Sequence, residues 1–296
     1  MLIALDGSTM AEAALPVAIG LAKPLGATVT LLHVQETSAP RTIHGEQHLQ
    51  DADEAANYLE RIAERLRVER VPISWHVHPN ERGDVARSIY EHALEMQAGL
   101  IVITTHGSGG LRELLFGSIA EQVVRLGTTP TLVVRPPAED VSERYTCRSI
   151  LIPLDRQHES AETLELAQEL SDATGARLTL ATVVPTPSTV SGDLATSAAF
   201  SPNTVAAILD LEQSETLRYL DEKASVWRQT GHTVETSVPR GETVPQITAV
   251  AADTQADLVI LATHGRIGLD GTFSGSTTPR LLDAFRVPVL VVKLSE

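Results

Sequence analysis

The chain writes one unit twice, and no other feature narrows its fold as much. Leu2–Ser8 (LIALDGS) matches Leu151–Gln157 (LIPLDRQ), and Gly26–Val34 (GATVTLLHV) matches Gly175–Val183 (GARLTLATV), both at an offset of 149 residues. From Arg82–Val85 (RGDV) and Arg240–Thr243 (RGET) onward the offset is 158, through Gly107/Gly265, Gly117/Gly275 and Pro130/Pro288. Nine extra residues therefore lie between Val183 and Arg240. Thr186–Thr204 (TPSTVSGDLATSAAFSPNT) has loop composition and no apolar period, so the insertion is expected there as a loop. A period this long belongs to duplicated domains, not to a solenoid.

Each unit alternates buried strands with helices. A short apolar strand (2–5; 150–154) leads into an Ala/Leu/Glu-rich helix, which Gly26 or Gly175 stops. A second strand follows (28–34; 177–184), then a helix whose apolar stripe is Leu59, Ile62, Ala63 and Leu66 in the first copy. A third strand ends near Arg82 or Arg240. The next helix sets Val85, Ile89, Ala93 and Met96 on one face and precedes the buried strand 100–104. A last helix leads into TPTLVVR or VPVLVVK. The pattern predicts an α/β chain of two tandem doubly wound, Rossmann-like domains, each a mostly parallel five-stranded sheet flanked by helices. The expected domains are 1–136 and 147–296, joined by a Pro- and charge-rich linker at 137–146.

Composition excludes several classes. A net charge of -15, from 38 acidic against 23 basic side chains, argues against nucleic acid or an anionic membrane as partner. Any phosphate must be held locally, by backbone N–H groups and a few arginines. No apolar run is long enough to span a bilayer, and the N-terminus has no signal-peptide pattern. The one cysteine, Cys147, reads as a core residue and fits a reducing, cytoplasmic setting.

The informative segments are THGSGGLRELLFGS at 105–118 and THGRIGLDGTFSGS at 263–276. Ligands of open parallel sheets sit beyond the carboxyl ends of the strands, where strand order reverses. A bare turn at Gly107 and Gly110, a short return leg and a helix opening at Gly117-Ser118 have the parts of a phosphate cradle. Ser118 and Glu121 also spell a capping box, which serves only to start a helix. Neither GxGxxG nor a P-loop is present.

With LDGS after the first strand, LLHV on the second, and THGSGGLRELLFGSIAEQVVRLGTTPTLVVR, the chain resembles the universal stress protein family over nearly its whole length. Gly107-x9-Gly117-Ser118 and Gly265-x9-Gly275-Ser276 match the second part of the family motif G-x2-G-x9-G-[ST]. Thr104 and Ala262 stand where its first glycine belongs. The resemblance implies an adenine nucleotide, ATP foremost with ADP or AMP as alternatives, and is compatible with Mg2+. It implies that Asp6 and Asp155 bind the ribose and that Val34 and Val183 flank the adenine. Phosphates would fall to Gly107, Gly117, Ser118 and the Ile119 amide, with Thr104 and Gly110 also counted in the cofactor site. Their counterparts are Gly265, Gly268, Gly275, Ser276 and Thr277. The second copy departs further, with Arg156-Gln157 for Gly7-Ser8 and Pro279 for Glu121.

His76 and His78 share one strand face, but with no third ligand evident in the sequence they read as an incidental pair. His106, His264 and Arg112 are candidates for a supporting place beside the phosphates. Without a Walker lysine, a dedicated acidic pair or a catalytic triad, the chain reads as a regulator, not an enzyme, although slow ATP hydrolysis stays open. The alternative is a nucleotide-free protein-interaction module. The apolar strands TPTLVVR and VPVLVVK are expected to pair with each other, making the chain its own pseudo-dimer, and two chains are expected to form a homodimer through these C-terminal strands.

Overall fold

The computed structural model describes residues 1–36, 42–43, 46–47, 49, 51–80, 84–105, 118–136, 144–156, 161–190, 192–263 and 277–294. Packing divides the chain into two compact units, Met1–Cys147 with Ala262–Glu296, and Arg148–Leu261.

The first unit opens with β1 (Leu2–Ala4), the short α1 (Thr9–Glu12), α2 (Ala14–Leu25) and β2 (Val29–Glu36). A two-stranded ribbon, β3 (Thr42–Ile43) with β4 (Glu46–Gln47), precedes α3 (Ala52–Leu66) and β5 (Ile73–Asn80). Then come α4 (Val85–Glu95), β6 (Ile101–Thr104), α5 (Ser118–Leu126) and β7 (Thr131–Val134). The strands lie in the order β7-β6-β1-β2-β5, all parallel, as a doubly wound sheet requires. Leu2, Ile3, Leu31, Leu32, Ile101 and Leu132 are fully buried because helices cover both faces of such a sheet. Gly26 ends α2 in the left-handed conformation at φ 61°, and Gly175 repeats the device at φ 72°.

Two expected helix faces are rotated. In α3 the buried set is Ala55, Tyr58, Leu59 and Ile62, with Ala63 and Leu66 only half-buried. In α4 it is Ala86, Ser88, Ile89, His92 and Ala93, while Val85 is half-buried and Met96 exposed. The helix stops at Glu95, Met96 is its C-cap, and Gln97 beyond it takes φ 51°, so Met96 stands at the exposed helix end with no further turn to cover it.

The second unit holds β8 (Ser149–Pro153), α6 (Ala161–Thr174), β9 (Arg177–Ala181), α7 (Asp193–Phe200) and α8 (Pro202–Gln229). It continues through β10 (Val234–Ser237), α9 (Thr243–Asp253) and most of β11 (Leu258–Thr263), in the parallel order β10-β9-β8-β11. The segment expected as a loop is mostly helical: α7 fills 193–200 and α8 begins at Pro202. Proline suits a first helical turn, where its missing N–H has no partner to lose. Val205 and Leu209 then pack under Val184 and Val238. β9 stops at Ala181, short of the expected 184; Val184 regains the ladder only as a single bridge to Arg240, past Pro239, which has no N–H to give.

The chain closes with α10 (Thr277–Ala284) and β12 (Val289–Lys293), which belong to the first unit. β12 pairs antiparallel with β7, as the two apolar strand sequences lead one to expect, with Leu290 opposite Leu132. Those leucines occupy equivalent positions of the two repeats, so the contact is two-fold about that rung, the pattern of a self-complementary interface. The flanking side chains obey the same symmetry. Arg135 donates to the carbonyls of Leu282 and Asp283 (3.3 and 3.1 Å), and its equivalent Lys293 donates to the carbonyl of Arg125 (3.2 Å). Each cation thus meets the carbonyl end of a helix, where the dipole favours it.

Candidate functional site

β1 sits between β2, reached through α1 and α2, and β6, reached only after the chain has crossed back from β5. Strand order therefore reverses between β1 and β6, and the crevice beyond their carboxyl ends is where such sheets bind ligands. Asp6 stands there, two residues past β1 and half-buried. Its Oδ1 accepts hydrogen bonds from the Ser8 amide (2.9 Å) and the Ser8 hydroxyl (2.7 Å). The Ser8 oxygen in turn accepts from the Ala11 amide (3.1 Å) and caps α1. Asp6 is thus not itself the helix cap; it orients the residue that is.

Gly7 makes this turn possible. Its φ is 94°, and a Cβ there would stand 2.8 Å from Leu49 Cγ. On α3, burial and then the neighbouring Glu12 and Asp6 carboxylates push the Tyr58 hydroxyl well above the ordinary phenol range, so it stays neutral at any physiological pH. Beneath them, His33 Nδ1 lies 2.8 Å from the carbonyl of Leu5. A carbonyl only accepts, so this nitrogen carries the proton.

Val34 is buried within β2, in register with His78 of β5. Thr104 is 3% exposed at the end of β6, paired with Val134, so its Cβ is absorbed into the sheet. Ser118 and Ile119 open α5, with Ile119 half-buried. The structure therefore brings Asp6, Val34 and Thr104 to adjacent strands. Gly107, Gly110 and Gly117, with His106 and Arg112, lie outside the described residues, as do Gly265, Gly268, Gly275, Ser276 and His264.

The second copy is assembled differently. Asp155 follows β8 at the same distance but is exposed. Arg156 replaces Gly7, and its Nη1 donates to Thr216 Oγ1 (3.0 Å) while the guanidinium lies 5.8 Å from the Tyr219 ring centre. Thr216, on α8, is 158 residues on from Tyr58. Val183 lies past the end of β9, half-buried, and Thr277 begins α10. Sequence reasoning missed Tyr58, whose hydroxyl is hidden in an otherwise apolar stripe, and His92, which sits on α4, a separate element from His76 and His78.

The sequence and fold are similar to those of known proteins. The family model described as the universal stress protein family matches residues 1–135 and again 146–293. The chain belongs to the universal stress protein family. Universal stress protein YxiE of Bacillus subtilis (strain 168) is 33% identical over 147 residues, 46% of this chain and 97% of its own. Universal stress protein MJ0531 of Methanocaldococcus jannaschii is 30% identical over 149 residues, 47% of this chain and 84% of its own. Each relative thus matches about one repeat. The crystal structure of a universal stress protein from Archaeoglobus fulgidus DSM 4304 superposes with a TM-score of 0.71 at 18% identity, covering 100% of this chain and 96% of that one. At that identity the likeness is one of fold. Among the described residues no helix is long and apolar enough to cross a membrane.

Proposed function

We propose that this universal stress protein binds an adenine nucleotide, ATP foremost, at the strand ends of its first repeat, and acts as a cytoplasmic stress-response regulator rather than an enzyme. The observation that carries the reading is Asp6, a half-buried carboxylate oriented by Ser8 at the point where strand order reverses. A fixed carboxylate suits a pair of ribose hydroxyls, and the strand bearing Val34 offers an apolar wall to a base. With a net charge of -15, the protein as a whole repels the phosphates. They are therefore held at the opening of α5, whose first amides and dipole favour an anion.

The second repeat is the weaker site, because Arg156 draws its turn towards α8. About one nucleotide per chain is therefore expected on denaturing the purified protein and identifying what is released by mass spectrometry. In a calorimetric titration, Asp6→Asn lowers ATP affinity about tenfold or more, the scale of a lost charge-assisted hydrogen bond. Asp155→Asn leaves it within about twofold. Finding no released nucleotide and no heat with ATP, ADP or AMP would remove the proposal and leave the interaction module as the better reading.

A further inference from the structure

We propose that His76, His78 and His92 form a three-histidine site for a divalent transition-metal ion, with zinc as the best fit. It lies on the edge strand of the first unit. Alternation along β5 puts His76 and His78 on one face, in register with Leu32 and Val34 of β2. α4 returns over that face and brings His92 down onto them, fourteen residues later in the chain. The His92 ring centre lies 4.9 Å from that of His76 and 4.3 Å from that of His78, with the rings nearly perpendicular at 78° and 85°. One nitrogen from each residue lies within 4.8 Å of the other two. A tetrahedral zinc ion at about 2.1 Å from each ligand needs nitrogens roughly 3.4 Å apart. Side-chain rotation closes that gap.

Two further observations set this cluster apart from an incidental one. His92 is only 9% exposed, and its Nε2 is buried with no hydrogen-bond partner. Its other nitrogen, Nδ1, sits 2.8 Å from Glu95 Oε2. A carboxylate there accepts a hydrogen bond from Nδ1–H, which makes Nε2 the lone-pair nitrogen of the neutral ring. This carboxylate–histidine arrangement orients metal ligands and raises their basicity. A buried acceptor left unmatched is unfavourable, and a cation resolves it. The second observation is the internal copy. Residues 158 further on are Val234, Thr236 and Val250, and both valines are buried. The same fold packs there without histidine, so packing does not account for the three rings. Imidazole nitrogens suit zinc, and three protein ligands leave a fourth position for water on the half-exposed side of His76 and His78.

The test is a calorimetric titration of the full chain, stripped with chelator and freed of nucleotide, with Zn2+. One ion per chain is expected, with a Kd of about 1 μM or tighter. Co2+ at the same site gives the intense visible absorption of a four-coordinate ion. His76→Ala and His92→Ala each weaken Zn2+ binding about 100-fold, and Glu95→Gln, acting through His92, weakens it about tenfold. Circular dichroism reports whether each variant folds. If His92→Ala does not, the half-exposed His76 decides the matter alone. Binding weaker than about 1 mM in the wild-type chain overturns the site. So does tight binding that His76→Ala and every other folded variant leave unchanged, which would place the ion on other surface histidines.

Discussion

The two repeats solve one structural problem alike and another differently. In both, the residue just past the first strand has a carbonyl that takes a side-chain donor from the second strand or the residue that follows it. His33 supplies it to Leu5 at 2.8 Å, and Thr182, 149 residues on, supplies it to Leu154 at 2.9 Å. The side chain changes and the hydrogen bond stays, because a buried backbone carbonyl is costly to leave unmatched. The turn that follows obeys no such rule. Asp6, Gly7 and Ser8 fold it back on itself, whereas Arg156 reaches out to Thr216 and Tyr219. Where the fold makes a demand, the copies agree in chemistry. Where they disagree, the fold is indifferent, and the difference is free to serve a ligand.

The strongest way to break this comparison lies where the repeats are most alike. Leu132→Ala and Leu290→Ala each empty one side of the same buried rung, and each is expected to cost about 2–5 kcal/mol in urea unfolding. The two losses should agree to within about 1 kcal/mol if the contact is two-fold; a large loss at one position with none at the other refutes that symmetry. Next comes the turn. Gly7→Ala forces a Cβ against Leu49 at a positive φ and is expected to cost about 1–3 kcal/mol, with weaker ATP binding alongside. Arg156→Ala removes one hydrogen bond and an exposed cation–π contact, and should cost less than about 1 kcal/mol. Equal costs would mean that the two turns are equally built into the fold.

The smallest effect is at Asp283, which stands where the first repeat has Arg125. Burial pushes its carboxyl above the usual range, against the pull of Arg135. A carboxyl raised in the folded state is charged at cost at neutral pH, and that cost fades as pH falls through the raised value and the group protonates. Asp283→Asn is therefore expected to raise Tm slightly at pH 7, with the gain shrinking towards pH 4. Thermal melts at both pH values check the sign, and a variant less stable at pH 7 contradicts it.

Most of the fold was legible because it rests on local signals. Gly26 and Gly175 end their helices in the left-handed conformation that glycine suggests, and the strand runs announce themselves as short apolar segments. The β7–β12 pairing followed from two matching apolar strands. The long helix after the second strand was expected, but α7 and the first turn of α8 were hidden because Pro202, a helix starter, reads equally as a loop residue. The buried positions Val205, Leu209, Thr216 and Leu220 are also diluted by a polar threonine and an Ala/Ser-rich approach. Of the expected nucleotide residues, Asp6, Val34 and Thr104 lie on or just past neighbouring strands as the repeat pattern leads one to expect, whereas Gly107, Gly110 and Gly117 fall outside the described residues. His92 was not legible beside His76 and His78. Only the crossing of α4 over β5 makes them neighbours, and a face drawn through Met96 pointed the helix the wrong way.

The rung between Leu132 and Leu290 has a consequence for how the protein behaves on dilution. A single repeat with an open last strand must find another molecule to pair with, and its pairing falls apart as concentration drops. Here the two strands are carried on one chain, so each sees the other at an effective concentration set by the intervening polypeptide rather than by expression level. The joint is then a first-order one, closed at nanomolar and millimolar protein alike, and each copy can diverge without losing its counterpart.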